Sequence, residues 1–212
     1  MTPERWSVLL RGLGARPDDS TYARLSAAYA ERHRAYHTER HIDECLALFD
    51  EVRGLAAEPV EVECALWFHD AIYEPMSSNN ESRSADWAGE FLQNHGVTSI
   101  RIEGVRRHVL ATRHVNSVQA DDSGLVVDID LAILGSVPKR YAEFERDVRR
   151  EYRWVPGVVY RRKRAQILMS FLDRPRIYHF EPLADRFEAR ARRNIAGAVR
   201  TLTGNSRADK SD

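Results

Sequence analysis

Apolar residues recur at three- and four-residue spacing along almost the whole chain, the pattern of helices that each bury one stripe. Tyr22, Leu25, Ala28 and Tyr29 form one such face, and Ile42, Cys45, Leu46 and Phe49 form the next. Val62, Ala65, Leu66, His69 and Ile72 follow, then Ala85, Ala88, Phe91 and Leu92, then Ile102, Val105, Val109 and Thr112. Further on come Tyr141, Phe144, Val148 and Tyr152, then Ile167, Leu168, Phe171 and Leu172, and last Phe187, Ala191, Ile195, Ala198 and Leu202.

Start and stop signals punctuate this pattern. Thr2-Pro3 reads as an N-cap followed by proline at the first helical position, and Gly12 and Gly14 end that helix. Helices are expected to begin near Ser20, near Thr38, after Glu58-Pro59, and after Ser78, whose spacing to Glu81 is that of a capping box. Gly96 stops the last of these, and Thr98 can cap its successor. Glu74-Pro75 to Asn80 and residues 115 to 124 read as loops. Residues 125 to 134 are ambiguous, since Val126-Val127-Asp128-Ile129-Asp130 also alternates like a strand. No second β-like run exists to pair with it, and a lone strand is not stable, so it reads as helix. The expectation is one all-α domain over residues 1 to 203, with a disordered tail from 204 to 212.

Composition excludes several classes. With 43% hydrophobic and 30% charged residues, 212 positions describe a soluble globular chain long enough for a sizeable core. The net charge of zero gives no global reason to expect nucleic acid or an anionic membrane as a partner. Locally the balance shifts. Residues 42 to 103 hold 13 acids and 3 bases, and residues 139 to 164 hold 10 bases and 4 acids. Most such charges are solvated helix faces, yet an acidic half and a basic half together suit an anionic substrate. Cys45 and Cys64 are too few for a disulfide framework and read as buried thiols of a reducing compartment. No signal-type segment and no run of about 18 apolar residues occurs, so a cytoplasmic location without membrane contact is expected. A homo-oligomer stays open.

His41, the pair His69-Asp70, and Asp130 carry the chemistry. Three of the four lie on or beside apolar stripes, where a polar group must be bonded, paired or metal-bound. Two imidazole nitrogens and two carboxylates suit a divalent transition metal such as manganese, iron, cobalt, nickel or zinc, with magnesium also compatible. Singly, each has a plainer reading, such as a hydrogen-bonded core histidine, and the combination is what counts. Asp128 lies about 200° around the helix from Asp130, so both cannot bind one ion, and Asp130 is assigned to the metal. His108 shares a face with Val105 and Thr112 and reads as a core or surface histidine.

The order His…His-Asp…Asp resembles the HD superfamily of metal-dependent phosphohydrolases. More specifically, the chain is similar to a small, mostly bacterial family of predicted HD phosphohydrolases. The matching pieces are Tyr36-His37-Thr38 before His41-Ile42, then Phe68-His69-Asp70-Ala71-Ile72-Tyr73, then Asn80-Glu81 with Ser84-Ala85. Thr112 with His114, Asp128-Ile129-Asp130-Leu131-Ala132-Ile133-Leu134-Gly135 and Arg150-Glu151-Tyr152 complete them. The resemblance spans roughly residues 30 to 200 and implies an HD-like helical bundle, with ligands His41, His69, Asp70 and Asp130 drawn from separate helices. It implies cleavage of a phosphoester in a small metabolite or nucleotide, without naming the substrate. The alternative is a non-catalytic, metal-containing module that binds a nucleotide or a protein.

Signalling HD domains usually carry a lysine shortly after His-Asp, and Ala71-Ile72-Tyr73 stands there instead. Glu74 falls near the place where some nucleotidase members hold an acid for the attacking water; a solvated loop acid is the plainer reading. Asp70, Glu74 and His114 are the catalytic candidates. His37, Glu81, Arg149 and Arg164 are the substrate-binding candidates, the arginines because guanidinium matches phosphate oxygens. Glu81 has its capping-box reading as the alternative, and either arginine a surface salt bridge.

Overall fold

The computed structural model describes residues 1–114 and 120–204, all of whose regular elements are helical. The chain divides into two compact units, Met1–Asp130 and Leu131–Asp212, a boundary that the sequence had not suggested.

The first unit holds α1 (Pro3–Leu13), α2 (Asp19–Tyr29), α3 (Glu39–Val52), α4 (Pro59–Phe68), α5 (Asn80–Asn94), α6 (Ser99–Ala111) and α7 (Asp122–Asp130). Helix α1 begins as its sequence dictates. Thr2 Oγ1 accepts from Arg5 N at 3.2 Å, Pro3 sits in the first turn, and Gly14 closes the helix at φ 71°. Helix α4 is the axis of the unit and packs against α1, α3, α5, α6 and α7. Every residue from Glu61 to Phe68 is buried, so the helix has no solvent face. Around it Trp6, Trp67, Phe68 and Phe91 stack, with Trp6–Trp67 and Trp6–Phe91 centroids at 5.3 and 5.4 Å.

Three local expectations need correction. The periodic run through His69 and Ile72 does not continue as helix, because α4 stops at Phe68 and His69 is its C-cap. Ser78 does not cap α5; Asn79 holds that place without a side-chain capping bond, and Glu81 is the second residue of the helix, in its first turn. The loop expected to reach residue 124 gives way to α7 at Asp122. Residues 115–119 of that stretch lie outside the described residues. The ambiguous run 125–134 is helical, as α7 followed by a 3-10 segment, Leu131–Gly135.

The second unit contains that 3-10 segment with α8 (Pro138–Glu151), α9 (Gly157–Leu172) and α10 (Glu181–Thr203). Helix α10 lies along both α9 and the 3-10 segment. Asn194 Nδ2 donates to the Leu134 and Ser136 carbonyls, both at 2.9 Å, and Tyr178 Oη donates to the Leu131 carbonyl at 2.9 Å. Gly135 is required by this contact, since a Cβ there would stand 2.6 Å from Phe187 Cβ and 2.8 Å from its carbonyl oxygen. Gly204 ends α10 at φ 79°, and the expected tail beyond it lies outside the described residues.

His108 is a core residue with a consequence for pH. Its Nδ1 stands 2.8 Å from Ser123 Oγ. Burial, with the Arg107 charge beside it, lowers its pKa from 6.5 to about 4. The unfolded chain therefore takes up a proton between pH 6.5 and 4 that the folded chain refuses. The stability of the neutral, buried ring is complete above pH 6.5 and is lost as pH falls toward 4, by about 3 kcal/mol. Urea midpoints across this range should fall for the native chain, and in His108→Gln, which does not ionise, this part of the acid limb should be absent. An unchanged limb would mean that another group controls it.

Candidate metal centre

Helix α4 ends with four carbonyls that lack a partner within the helix, and the site grows from how they are satisfied. Ala65 O accepts from His69 N at 2.9 Å, and Phe68 O from Ala71 N at 2.9 Å. Tyr29 Oη donates to Trp67 O at 2.8 Å. Leu66 O takes the last bond, from His69 Nδ1 at 3.0 Å. A carbonyl only accepts, so Nδ1 carries a proton, and in the neutral ring Nε2 presents its lone pair on the other side.

That lone pair faces a cluster. His69 Nε2 stands 3.1 Å from His41 Nε2, 3.1 Å from Asp70 Oδ2 and 3.6 Å from Asp130 Oδ1. His41 Nε2 stands 3.2 Å from Asp130 Oδ1 and 3.5 Å from Asp70 Oδ2. Donor atoms about 2.0–2.2 Å from a common ion stand roughly 3.0–3.6 Å apart at tetrahedral or octahedral angles. The three separations among His41, His69 and Asp130 match; Asp70 stands as near to both imidazoles but is not one of the group whose donor atoms all lie together. His41, His69 and Asp130 form a group that can hold a metal ion, their donor atoms all within 4.8 Å of one another. His41 enters from the first turn of α3, His69 and Asp70 from the end of α4, and Asp130 from the end of α7. Two of these three approaches are helix C-termini, whose dipoles favour a cation.

The electrostatics ask for positive charge. Burial alone would depress His69, but the Asp70 charge and the bonds to Asp130 and Asp70 override it and hold the ring well above 6.5. Burial likewise opposes ionisation of Asp70 and Asp130. Neighbouring histidines, His69 foremost for Asp70 and His114 for Asp130, nonetheless keep both acids below the usual carboxylate range. Carboxylates that stay ionised against the same two buried imidazoles need a proton on those rings or a cation in its place. The Cys45 thiol stands 3.7 Å from His41 Nδ1, but burial raises its pKa well above 9.0, so it is no thiolate donor. The His41 and His69 side chains are 2% and 1% exposed, against 17% and 15% for Asp70 and Asp130, so the cluster opens to solvent on its carboxylate side.

A surrounding layer orients these groups. Tyr36 Oη stands 3.0 Å from His41 Nδ1. His114 Nε2 bonds Asp130 Oδ2 at 3.0 Å, from a residue at φ 56°, a left-handed conformation that costs a non-glycine residue about 1–2 kcal/mol. The His37 ring lies 6.2 Å from that of His41 and stacks on Tyr73 at 4.1 Å. Beneath them Arg34, buried, donates from Nη1 to Asp70 O at 2.7 Å and His37 O at 3.1 Å, and from Nη2 to Ala71 O at 3.1 Å. It ties the segment before α3 to the segment after α4.

Of the four metal candidates, His41, His69 and Asp130 form the group that can hold an ion, and Asp70 lies against both imidazoles outside it, with His114 and His37 beside them; the remaining candidates have other partners. Glu74 lies in an exposed loop, with Arg83 Nη1 2.7 Å from its carboxylate. Glu81 faces Arg113 at 3.9 Å. Arg149 and Arg164 belong to the second unit. Arg149 donates to the Tyr152 and Val155 carbonyls at 2.6 and 3.2 Å, and Arg164 grips Glu145 through two bonds at 2.6 and 3.2 Å. Guanidiniums so engaged are not open phosphate receptors. Asp128 is wholly buried. A cavity of about 360 Å³ lined by Arg5, Leu9, Asp50, Arg53 and Glu63, among others, shares no residue with the cluster.

Sequence reasoning missed Arg34, because nothing local marks an arginine whose partners lie 36 and 37 positions away. Tyr36 stood in the matching motif without a role. Comparison of the chain with protein-family models, curated proteins and solved structures returned no match.

Proposed function

We propose that the first unit is a metal-dependent phosphohydrolase of HD type, acting on a phosphoester of a small metabolite or nucleotide. The supporting observation is the approach of the two Nε2 atoms to 3.1 Å with His69 Nδ1 committed to Leu66 O. His41, His69, Asp70 and Asp130 would hold a divalent transition ion. Such an ion, when bound, acidifies water and polarises a phosphoryl oxygen.

The chain's own groups supply the rest. Asp130 uses one oxygen toward the cluster and the other toward His114, which fixes that ring at the edge of the site. An imidazole there can hand a proton to a departing alkoxide. The partly exposed His37, braced by Tyr73, would bond a phosphate oxygen. Asp70, a residue of both the ligand set and the open side, can accept a proton from attacking water.

Glu74 and the two arginines lie in other contacts, which favours a short list of catalytic groups, His114 and Asp70. It also keeps in view a metal-containing module that binds without turnover. Protein loaded with manganese, iron, cobalt, nickel or zinc should hydrolyse at least one member of a panel of nucleotides, sugar phosphates and cyclic dinucleotides, and a chelator should abolish that activity. Tight binding of one panel member with no hydrolysis under any metal would establish the binding module instead.

A further inference from the structure

The second unit carries 19 basic and 10 acidic residues, whereas the first carries 13 and 22, so the neutral chain joins halves of net charge +9 and −9. The positive half also holds a concentrated apolar surface. Of the nine large apolar side chains exposed among the described residues, five fall within Trp154 to Met169: Trp154, Val158, Val159, Ile167 and Met169. Trp154 is 53% and Val158 71% exposed. At 3.6 residues per turn, Val158, Val159, Ile167 and Met169 share about half the circumference of α9 with Arg162 and Lys163. Tyr160, Ala165, Leu168 and Phe171 occupy the buried side.

Helix α9 contains no acid. Arg164 is engaged by Glu145, but among the described residues Arg161, Arg162 and Lys163 make no ion pair. An exposed patch that is both apolar and uncompensated in charge calls for a counter-surface with anionic groups and room for aliphatic chains.

We propose that this face of α9, with Trp154 leading into it, docks the protein on an anionic lipid bilayer. Lipid phosphates would meet Arg162 and Lys163, while the aliphatic chains and the indole enter the boundary between headgroups and acyl chains. Nucleic acid offers phosphates for the bases but no receptor for four aliphatic side chains. A second copy placed face to face would set Arg162 and Lys163 against themselves. The contact is peripheral, since among the described residues no helix is long and apolar enough to cross a membrane.

The test is co-sedimentation of the full chain with vesicles of phosphatidylcholine alone and of phosphatidylcholine with phosphatidylglycerol. Binding should require the anionic lipid and weaken with salt. R162A/K163A should reduce partitioning about 30-fold, at roughly 1 kcal/mol per base. V159N/I167N should also reduce it, with unchanged circular dichroism in both variants. Lipid should shift the tryptophan emission to the blue, and Trp154→Phe should remove the shift, because Trp6 and Trp67 are fully buried and Trp87, half-buried, belongs to the first unit rather than to this face. Equal binding to both vesicles, or none to either, overturns the proposal. So does a concentration-dependent dimer that V159N/I167N dissociates in a chain that ignores vesicles, or retention on polyglutamate without vesicle binding.

Discussion

Asp130→Asn is expected to keep the fold and lose the metal. The substitution preserves volume and one of the two oxygens, which can face either His41 or His114 but not both. It removes one of the two negative charges that hold His69 well above 6.5 and that would hold a dication in its place. Altering groups that merely contact metal ligands costs about 10–100-fold in metal affinity, so loss of a ligand charge should cost more than about 100-fold. His69→Ala should do the same, since it deletes the one nitrogen whose tautomer the backbone fixes. Turnover on whichever phosphoester responds should fall at least as far. A readout independent of activity is available. Metal at 100 times its dissociation constant stabilises the native chain by about 2.7 kcal/mol, a rise of roughly 5–10 °C in Tm for a chain of this size. Neither variant should show such a rise on addition of metal, whatever its own metal-free melting temperature. Full metal content by elemental analysis, with the thermal rise intact in both, would sink the assignment.

The parts of this molecule legible in its sequence are those whose cause is local or periodic. Thr2-Pro3 starts a helix because a hydroxyl and a missing N–H suit its first turn whatever surrounds them. His41, His69 and Asp130 stand out because polar groups on apolar stripes need an explanation, and their meeting needs only that the stripes face one core. The end of α4 was not legible. Its apolar period runs on to Ile72, and what stops it is the His69 ring and the Tyr29 hydroxyl taking the terminal carbonyls, contacts that only the fold supplies. The arginines fail for a related reason. Sequence shows that Arg149 and Arg164 are basic, but not that Val155 and Glu145 already occupy their donors.

Arg34 shows the same limit from the other side, and its removal should be the most damaging single change outside the metal ligands. The side chain is sealed from solvent and its Nε donates to Glu31 at 2.9 Å. Its two remaining nitrogens serve the carbonyls of His37, Asp70 and Ala71, and its guanidinium lies 5.2 Å from the Tyr29 ring centre and 5.5 Å from that of Tyr73. Arg34→Met keeps much of the apolar stem but strands three acceptors. At about 1–3 kcal/mol for each acceptor left without a donor, less what water recovers, the loss should be about 3–5 kcal/mol, or roughly 10 °C in Tm. Lysine brings one compact ammonium where a planar fork spans carbonyls from two segments, so Arg34→Lys should recover only part of it. The damage should not stop at stability. Asp70 and His37 hang from the carbonyls that Arg34 fixes, so at temperatures where Arg34→Lys is fully folded its metal affinity should still fall, by about 10–100-fold as for other groups that position ligands. A folded Arg34→Lys chain with native affinity would reduce Arg34 to a packing residue. A native melting temperature for Arg34→Met would show that the three carbonyls do not depend on it.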